Sequence, residues 1–189
     1  IITSILDDFL VSIFFEILYV QVDNVAISKK TLPDLIRQYK NSAQAAYNYY
    51  QALTSPDTHV IKHNFGGLGN IELHILIQRG LHRRVFMGRS NGMKIFDQKN
   101  FPAAIEFSGV CILKDESINS YFREMENPQH DAWEPERHSK PTDAKKRKQE
   151  LYRYIKDTIL EYGRKTTVAE IDAEGVGEYL PDDIDAGAG

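Results

Sequence analysis

Cysteine is almost missing from the sequence: Cys111 is the one thiol in 189 residues. Intramolecular disulfides are thereby excluded, and so is a zinc site with two or more cysteine ligands. Long apolar runs are missing too. The most apolar stretch, residues 1–22, is interrupted by Asp7, Asp8 and Glu16. Its longest run, near residues 9–15, is far short of the ~20 residues that a bilayer span needs. No basic segment or small-residue cleavage site frames it, so it does not read as a signal peptide. Positive charge is not in excess: the formal net charge is −4 and the pI near 5.9, which argues against a dedicated nucleic-acid coat. His-Glu-x-x-His and Gly-x-Ser-x-Gly do not occur, and Gly66-Gly-Leu-Gly69 lacks the Lys-Ser/Thr that a P-loop would carry after it.

What is present is ordinary for a globular chain: 42% hydrophobic and 26% charged residues. A chain of this length is one domain, or two small ones, and buries about 70% of the surface its unfolded form exposes. It begins at Ile1 and not at Met, which suggests a piece of something longer.

Residues 1–22 read as a helix buried on most sides and then a short strand over 18–23. Ile2, Ile5, Leu6, Phe9, Ile13 and Ile17 recur at helical spacing, and Leu10, Val11 and Phe14 widen the stripe. Pro33 suits a helix start, and helical pattern continues to about residue 53, where Thr54-Ser-Pro-Asp57 stops it. Strand signals follow at 60–65, 71–77, 84–89, 93–96 and 104–113. Gly66-Gly-Leu-Gly69 separates the first two as a turn, and Asn91-Gly92 marks a hairpin in which both turn residues are expected at positive φ. The product is an α+β fold: a mainly antiparallel sheet of about four strands, covered on one face by the helices that precede it. Asp115 caps a short helix over 116–125, a proline-bounded polar loop spans 126–142, and Asp143 caps a long helix to about Tyr162. The end, 166–189, carries seven acidic residues and no basic one, and Gly187-Ala-Gly189 is expected to be disordered.

Few motifs carry chemistry. The glycine turn could cradle an anion, but a strand follows it where a phosphate loop needs a helix. His59 and His63 lie four apart in a strand, too far for one metal without a bend, and no metal site is read. Cys111 lies in an apolar strand and reads as a buried, inert thiol. No catalytic residue is assigned. Two stretches are unusual for a bland surface. One is the 89–94 hairpin tip, where Arg89 and Lys94 flank a glycine turn and are expected to point outward. The other is the 122–137 loop, where Arg123, His130, Trp133 and Arg137 suggest an interaction loop pinned down by a partly buried aromatic anchor. The run Lys145, Lys146, Arg147, Lys148 reads as a solvated face, with a partner contact or a weak phosphate contact as the alternatives.

The strings "RRVFMGRSNGMKIF", "FSGVCIL" and "REMENPQHDAWEPER", followed by a basic helix, resemble a region found after the nucleotide-binding domain in large bacterial ATP-binding proteins. Those proteins belong to the gyrase, heat-shock chaperone, histidine kinase and MutL (GHKL) superfamily. "ILDDFLVSIFFEILYVQV" resembles the helix and strand just before that region, so the resemblance covers most of residues 1–165. The superfamily's Asp-x-Gly-x-Gly is absent, and "KNSAQAA" only echoes its magnesium-holding Asn helix. The resemblance implies a transducer-like unit over 1–114, a helical extension with the Pro/Trp loop over 115–165, and an acidic tail over 166–189. It implies a cytoplasmic, non-catalytic module that couples nucleotide state to partner or dimer contacts. ATP and magnesium would be held by an N-terminal ATPase domain of the same parent chain, and this piece would hold no cofactor itself. Arg89 or Lys94 would reach the terminal phosphate. The alternatives are a stand-alone module that binds protein or nucleic acid through the Trp133 loop and the basic helix, and a small enzyme whose site the sequence does not display.

Overall fold

The structure, a computed structural model, describes the backbone of residues 1–177 and side chains through Thr166. The expected acidic tail, including the disorder assigned to Gly187-Ala-Gly189, lies outside the residues whose side chains are described. The described chain forms α1 (Ile2–Phe14), β1 (Val20–Val22), β2 (Val25–Ile27), α2 (Leu32–Gln38), α3 (Gln44–Thr54), β3 (His59–Asn64), β4 (Asn70–Ile77), β5 (Arg84–Gly88), β6 (Lys94–Gln98), β7 (Phe107–Leu113), α4 (Glu116–Arg123) and α5 (Pro141–Gly177). The fold class is α+β, as the sequence predicts.

The sheet differs from expectation in two ways. It has five strands in the order β3-β4-β7-β5-β6, and it is mixed, because β7 runs parallel to β5 while the other pairings are antiparallel. The chain leaves the β5–β6 hairpin at the sheet edge, crosses through residues 99–106 and inserts β7 between β4 and β5. The strand expected from residue 104 therefore begins at Phe107. β1 and β2 form a separate two-stranded hairpin.

Helices cover both faces, not one. All seven residues of β7 are buried, which requires apolar neighbours above and below the strand. Its alternation divides them. Phe107, Cys111 and Leu113 join Leu73, Ile75, Val85 and Met87 in a core closed by α4 and α5, through Ile118, Phe122, Leu151, Ile155 and Ile159. Val110 and Ile112 join Phe86 in a second core with Leu6, Leu10, Leu32 and Tyr49 from α1, α2 and α3. Burial of each such aliphatic side chain contributes about 1.5–3 kcal/mol. Gly109 is required where β7 meets β5, since a Cβ there would sit 3.0 Å from Val85 Cγ2.

Local signals read in part. Leu6, Leu10 and Ile13 are the buried stripe of α1, with Ile2, Ile5 and Phe9 partly buried. Ile17 falls beyond the helix end and is exposed, because Glu16 turns the chain with φ 61°. Asp115 precedes α4 without capping it by a side-chain bond. Its carboxylate accepts instead from the Asn70 backbone N–H at 2.6 Å, tying the β4 start to α4. The long helix starts at Pro141, not at Asp143, and its backbone continues past Tyr162. Gly66-Gly-Leu-Gly69 is the plain β3–β4 turn, with Gly66, Gly67 and Gly69 at positive φ.

Trp133 is 3% exposed, beneath the polar loop. It meets Phe96 edge-on at 4.9 Å and Phe122 at 4.4 Å between ring centroids, bridging the sheet to α4. The Trp133→Ala variant is expected to lose about 3–5 kcal/mol of stability, read from urea unfolding. In the parent chain the emission should be blue-shifted when native and move red in urea. A native spectrum already matching free tryptophan would contradict this packing.

Candidate functional site

The two unusual stretches meet. The β5–β6 hairpin and the 126–133 loop form the walls of a groove of about 630 Å³, with Asp8 and Phe9 of α1 at one side.

The loop is closed by its own bonds. The Asn127 side-chain oxygen accepts from the Asp131 N–H at 3.0 Å, and its amide donates to Asp131 Oδ1 at 2.7 Å. A bridge pairs Glu126 with Trp133, and His130 sits at the tip with φ 57°. That left-handed backbone is unfavourable for histidine, and such strain persists only where the surroundings enforce it. The Trp133 carbonyl accepts from Lys148 Nζ at 2.7 Å, so one cation of the basic helix is spent inside the fold. Arg147 pairs with Glu150 at 3.2 Å, whereas Lys145 is exposed.

The hairpin is docked, not projecting. Gly92 takes φ 77° and Asn91 does not take positive φ, so the turn is a three-residue loop ending in a left-handed glycine. Its backbone bonds are Gly92 N–H to the Arg89 carbonyl at 2.8 Å and Arg89 N–H to the Met93 carbonyl at 3.0 Å. The Ser12 hydroxyl donates to the Asn91 carbonyl at 2.7 Å, and the Ser90 N–H donates to Asn119 Oδ1 at 3.2 Å. These contacts hold the tip against α1 and α4. A Cβ at Gly92 would lie 2.6 Å from the Ser12 backbone nitrogen.

The expectation that Arg89 and Lys94 point into solvent is therefore corrected. The Arg89 side chain is 16% exposed and binds Glu126, itself 3% exposed, through Nε at 3.2 Å and through Nη2. Lys94 is 14% exposed and meets Asp97 Oδ1 at 3.0 Å. The two cations are not left to repel each other, because each has its own carboxylate. His130 Nδ1 lies 2.8 Å from the same Glu126 carboxylate. Arg89, Lys94 and His130 are brought together, and Trp133 supports the loop from below. Arg123 is exposed at the end of α4, and Arg137 is exposed and pairs with Glu134 at 2.6 Å; neither lines the groove.

Sequence reading missed Glu126, Asp97, Asp7 and Tyr49. Glu126 lies in the quoted string, but its partner is 37 residues away, and spacing gives no sign of that pair. Tyr49 donates to Asp97 Oδ1 at 2.8 Å, and burial with the adjacent Asp97 charge holds its phenol above the ordinary range. Burial raises the Asp7 carboxyl, partly offset by Lys94. The His82 ring lies 4.6 Å from that of Tyr49, and its Nε2 is 3.2 Å from Ser108 Oγ. Ser108 is fully buried. Burial pushes the Cys111 thiol up to about 12, as expected of an inert core cysteine. His59 stacks near Tyr162 at 4.3 Å and His63 on Tyr154 at 4.0 Å, and among the described residues no cluster of metal-ligating side chains occurs. No helix among the described residues is long and apolar enough to cross a membrane.

In chemical terms the groove holds two cations on carboxylates inside a partly desolvated wall. Burial, with Arg84 nearby, lowers the His82 pKa to about 4. The unfolded chain therefore binds the extra proton first, and this group's contribution to stability is lost as pH falls from about 6.5 to about 4. Urea midpoints across that window should fall for the parent and fall less for His82→Gln; equal slopes would contradict the assignment. No protein-family model matches the chain, and no curated protein or solved structure matches it.

Proposed function

We propose that this chain is the non-catalytic coupling module of a bacterial GHKL-type ATP-binding protein. The observation that carries the reading is the convergence of the quoted strings on one groove, where buried Glu126 holds Arg89 from the hairpin and contacts His130 from the loop. Buried ion pairs cost desolvation and stabilise little compared with apolar packing. Two such pairs at the mouth of one groove suit a site whose charges are used.

In this reading an adjoining N-terminal ATPase domain holds ATP and magnesium, which supply the phosphoryl chemistry, and the module sits in the cytoplasm. This chain supplies no nucleotide pocket in this reading and would reach the nucleotide only at its terminal phosphate. Arg89 and Lys94 fit the terminal phosphate only by exchange: the phosphate takes the place of Glu126 or Asp97 on its cation. Release of Glu126 would loosen the 126–133 loop, whose outer face carries the message to a partner or a second copy. The alternative of a stand-alone module binding through Trp133 and the basic helix is less well supported, because Trp133 is buried and Lys148 is bonded to its carbonyl.

The test uses the intact parent protein and removes charges in pairs, so that no buried charge is stranded. Arg89→Gln with Glu126→Gln, and Lys94→Gln with Asp97→Asn, are each assayed for ATP turnover and nucleotide affinity. The pair that serves the phosphate should lose roughly 100-fold in turnover with unchanged circular dichroism. Parent-like turnover in both would remove the coupling role from this groove.

A further inference from the structure

A second surface lies at the other end of β5, around the loop that joins β4 to β5. Three open clefts of about 330, 790 and 390 Å³ converge there, and Gln78 and Arg79 line all three. One wall is a stripe of amides on α3, Gln44, Asn48 and Gln51, at spacings that share a helix face. Gln44 is exposed, whereas buried Asn48 donates to the Gln44 carbonyl at 2.8 Å and Gln51 donates to the Tyr47 hydroxyl at 2.7 Å. At one end Lys40 Nζ stands 4.6 Å over the Tyr47 ring. At the other, Lys165 Nζ stands 5.0 Å over the Tyr162 ring, whose other neighbour is the His59 ring at 4.3 Å. The surface thus repeats one device, a lysine over a half-buried tyrosine ring, on either side of an arginine.

The cations here are freer than those of the hairpin groove. Among the described residues, exposed Arg79 makes no side-chain hydrogen bond or ion pair, and Lys40 contacts only the tyrosine ring. Lys165 pairs with Glu161 at 2.6 Å on the surface, a contact that solvent and salt weaken. Of the two acids in the lining, Glu106 is engaged by the Gly80 N–H at 2.9 Å, and Asp57 is exposed. Thr58 Oγ1 is buried at the edge of the largest cleft without a hydrogen-bond partner among the described residues. Charge over the whole chain hides this region. The seven acids of 166–189 account for more than the net charge of −4, and without them residues 1–165 carry +3.

We propose that these joined clefts bind single-stranded nucleic acid. Backbone phosphates meet Lys40, Arg79 and Lys165, bases take the place of the lysines over the Tyr47 and Tyr162 rings, and the exposed Gln44 amide bonds to base edges or sugar hydroxyls. A cationic groove with interleaved aromatic rings is the arrangement that holds single strands with little sequence preference. The inference is independent of the coupling reading, since no residue is shared with the hairpin groove.

The test is fluorescence anisotropy of the full chain with a labelled oligothymidylate of about 15 nucleotides. Titrations run from about 50 to 200 mM salt. Binding should weaken steeply with salt. Lys40→Gln with Arg79→Gln should weaken it roughly tenfold or more and lower the log–log salt slope by about 1.4, two contacts at about 0.7 each. Tyr47→Ala and Tyr162→Ala should each weaken it about tenfold at unchanged salt slope. Lys40→Arg with Arg79→Lys should restore binding. No binding at the lowest salt, or binding indifferent to these variants, overturns the proposal. So does equal competition by polyglutamate of matched charge, which would make the surface a site for acidic polypeptide.

Discussion

The architecture turns on the burial of β7. A strand with seven buried residues cannot lie on a one-sided sheet. It needs an apolar layer on each face and a paired strand on each edge. The odd positions draw in α4 and α5, and the even positions draw in α1 and α3. The parallel pairing with β5 follows from inserting β7 inside the sheet. Both proposed surfaces inherit their positions from that insertion, because β5 carries the hairpin at one end and the Gln78–Arg79 loop at the other.

The hairpin groove is held by charge where the rest of the molecule is held by packing. Glu126 is nearly inaccessible, yet it faces Arg89 and His130 from two separate segments. Its burial is tolerable only because Arg89 supplies the opposite charge at close range. Trp133 keeps the carboxylate there by packing its loop onto Phe96 and Phe122. The same arrangement makes the groove responsive, since whatever takes Arg89 must also resolve the charge left on Glu126.

Much of the fold was legible because its signals are local. The alternation of Ile71, Leu73, Ile75 and Ile77 marks β4, the glycines mark the β3–β4 turn, and an aromatic in a polar loop marks a buried anchor. The parts that were not legible depend on distant partners. An apolar strand such as β7 has no period to reveal which strands flank it, so its parallel neighbour was invisible. Asn-Gly indicates a hairpin but not its loop length, which here is set by docking on Ser12. Arg89 and Lys94 read as outward cations because Glu126 and the crowding by α1 lie far away in sequence. The amide stripe of α3 read only as helix, since its significance comes from a loop some thirty residues later.

The central claim is that Glu126 and Arg89 are one interaction joining hairpin and loop. A double-mutant cycle in urea on this chain measures it directly, using Arg89→Gln, Glu126→Gln and the combination. Each single change should cost about 3–5 kcal/mol, because it strands a buried charge. The combination, which strands none, should cost less than either single change. Losses that simply add would mean the two side chains do not depend on each other, and the groove as described here would not exist.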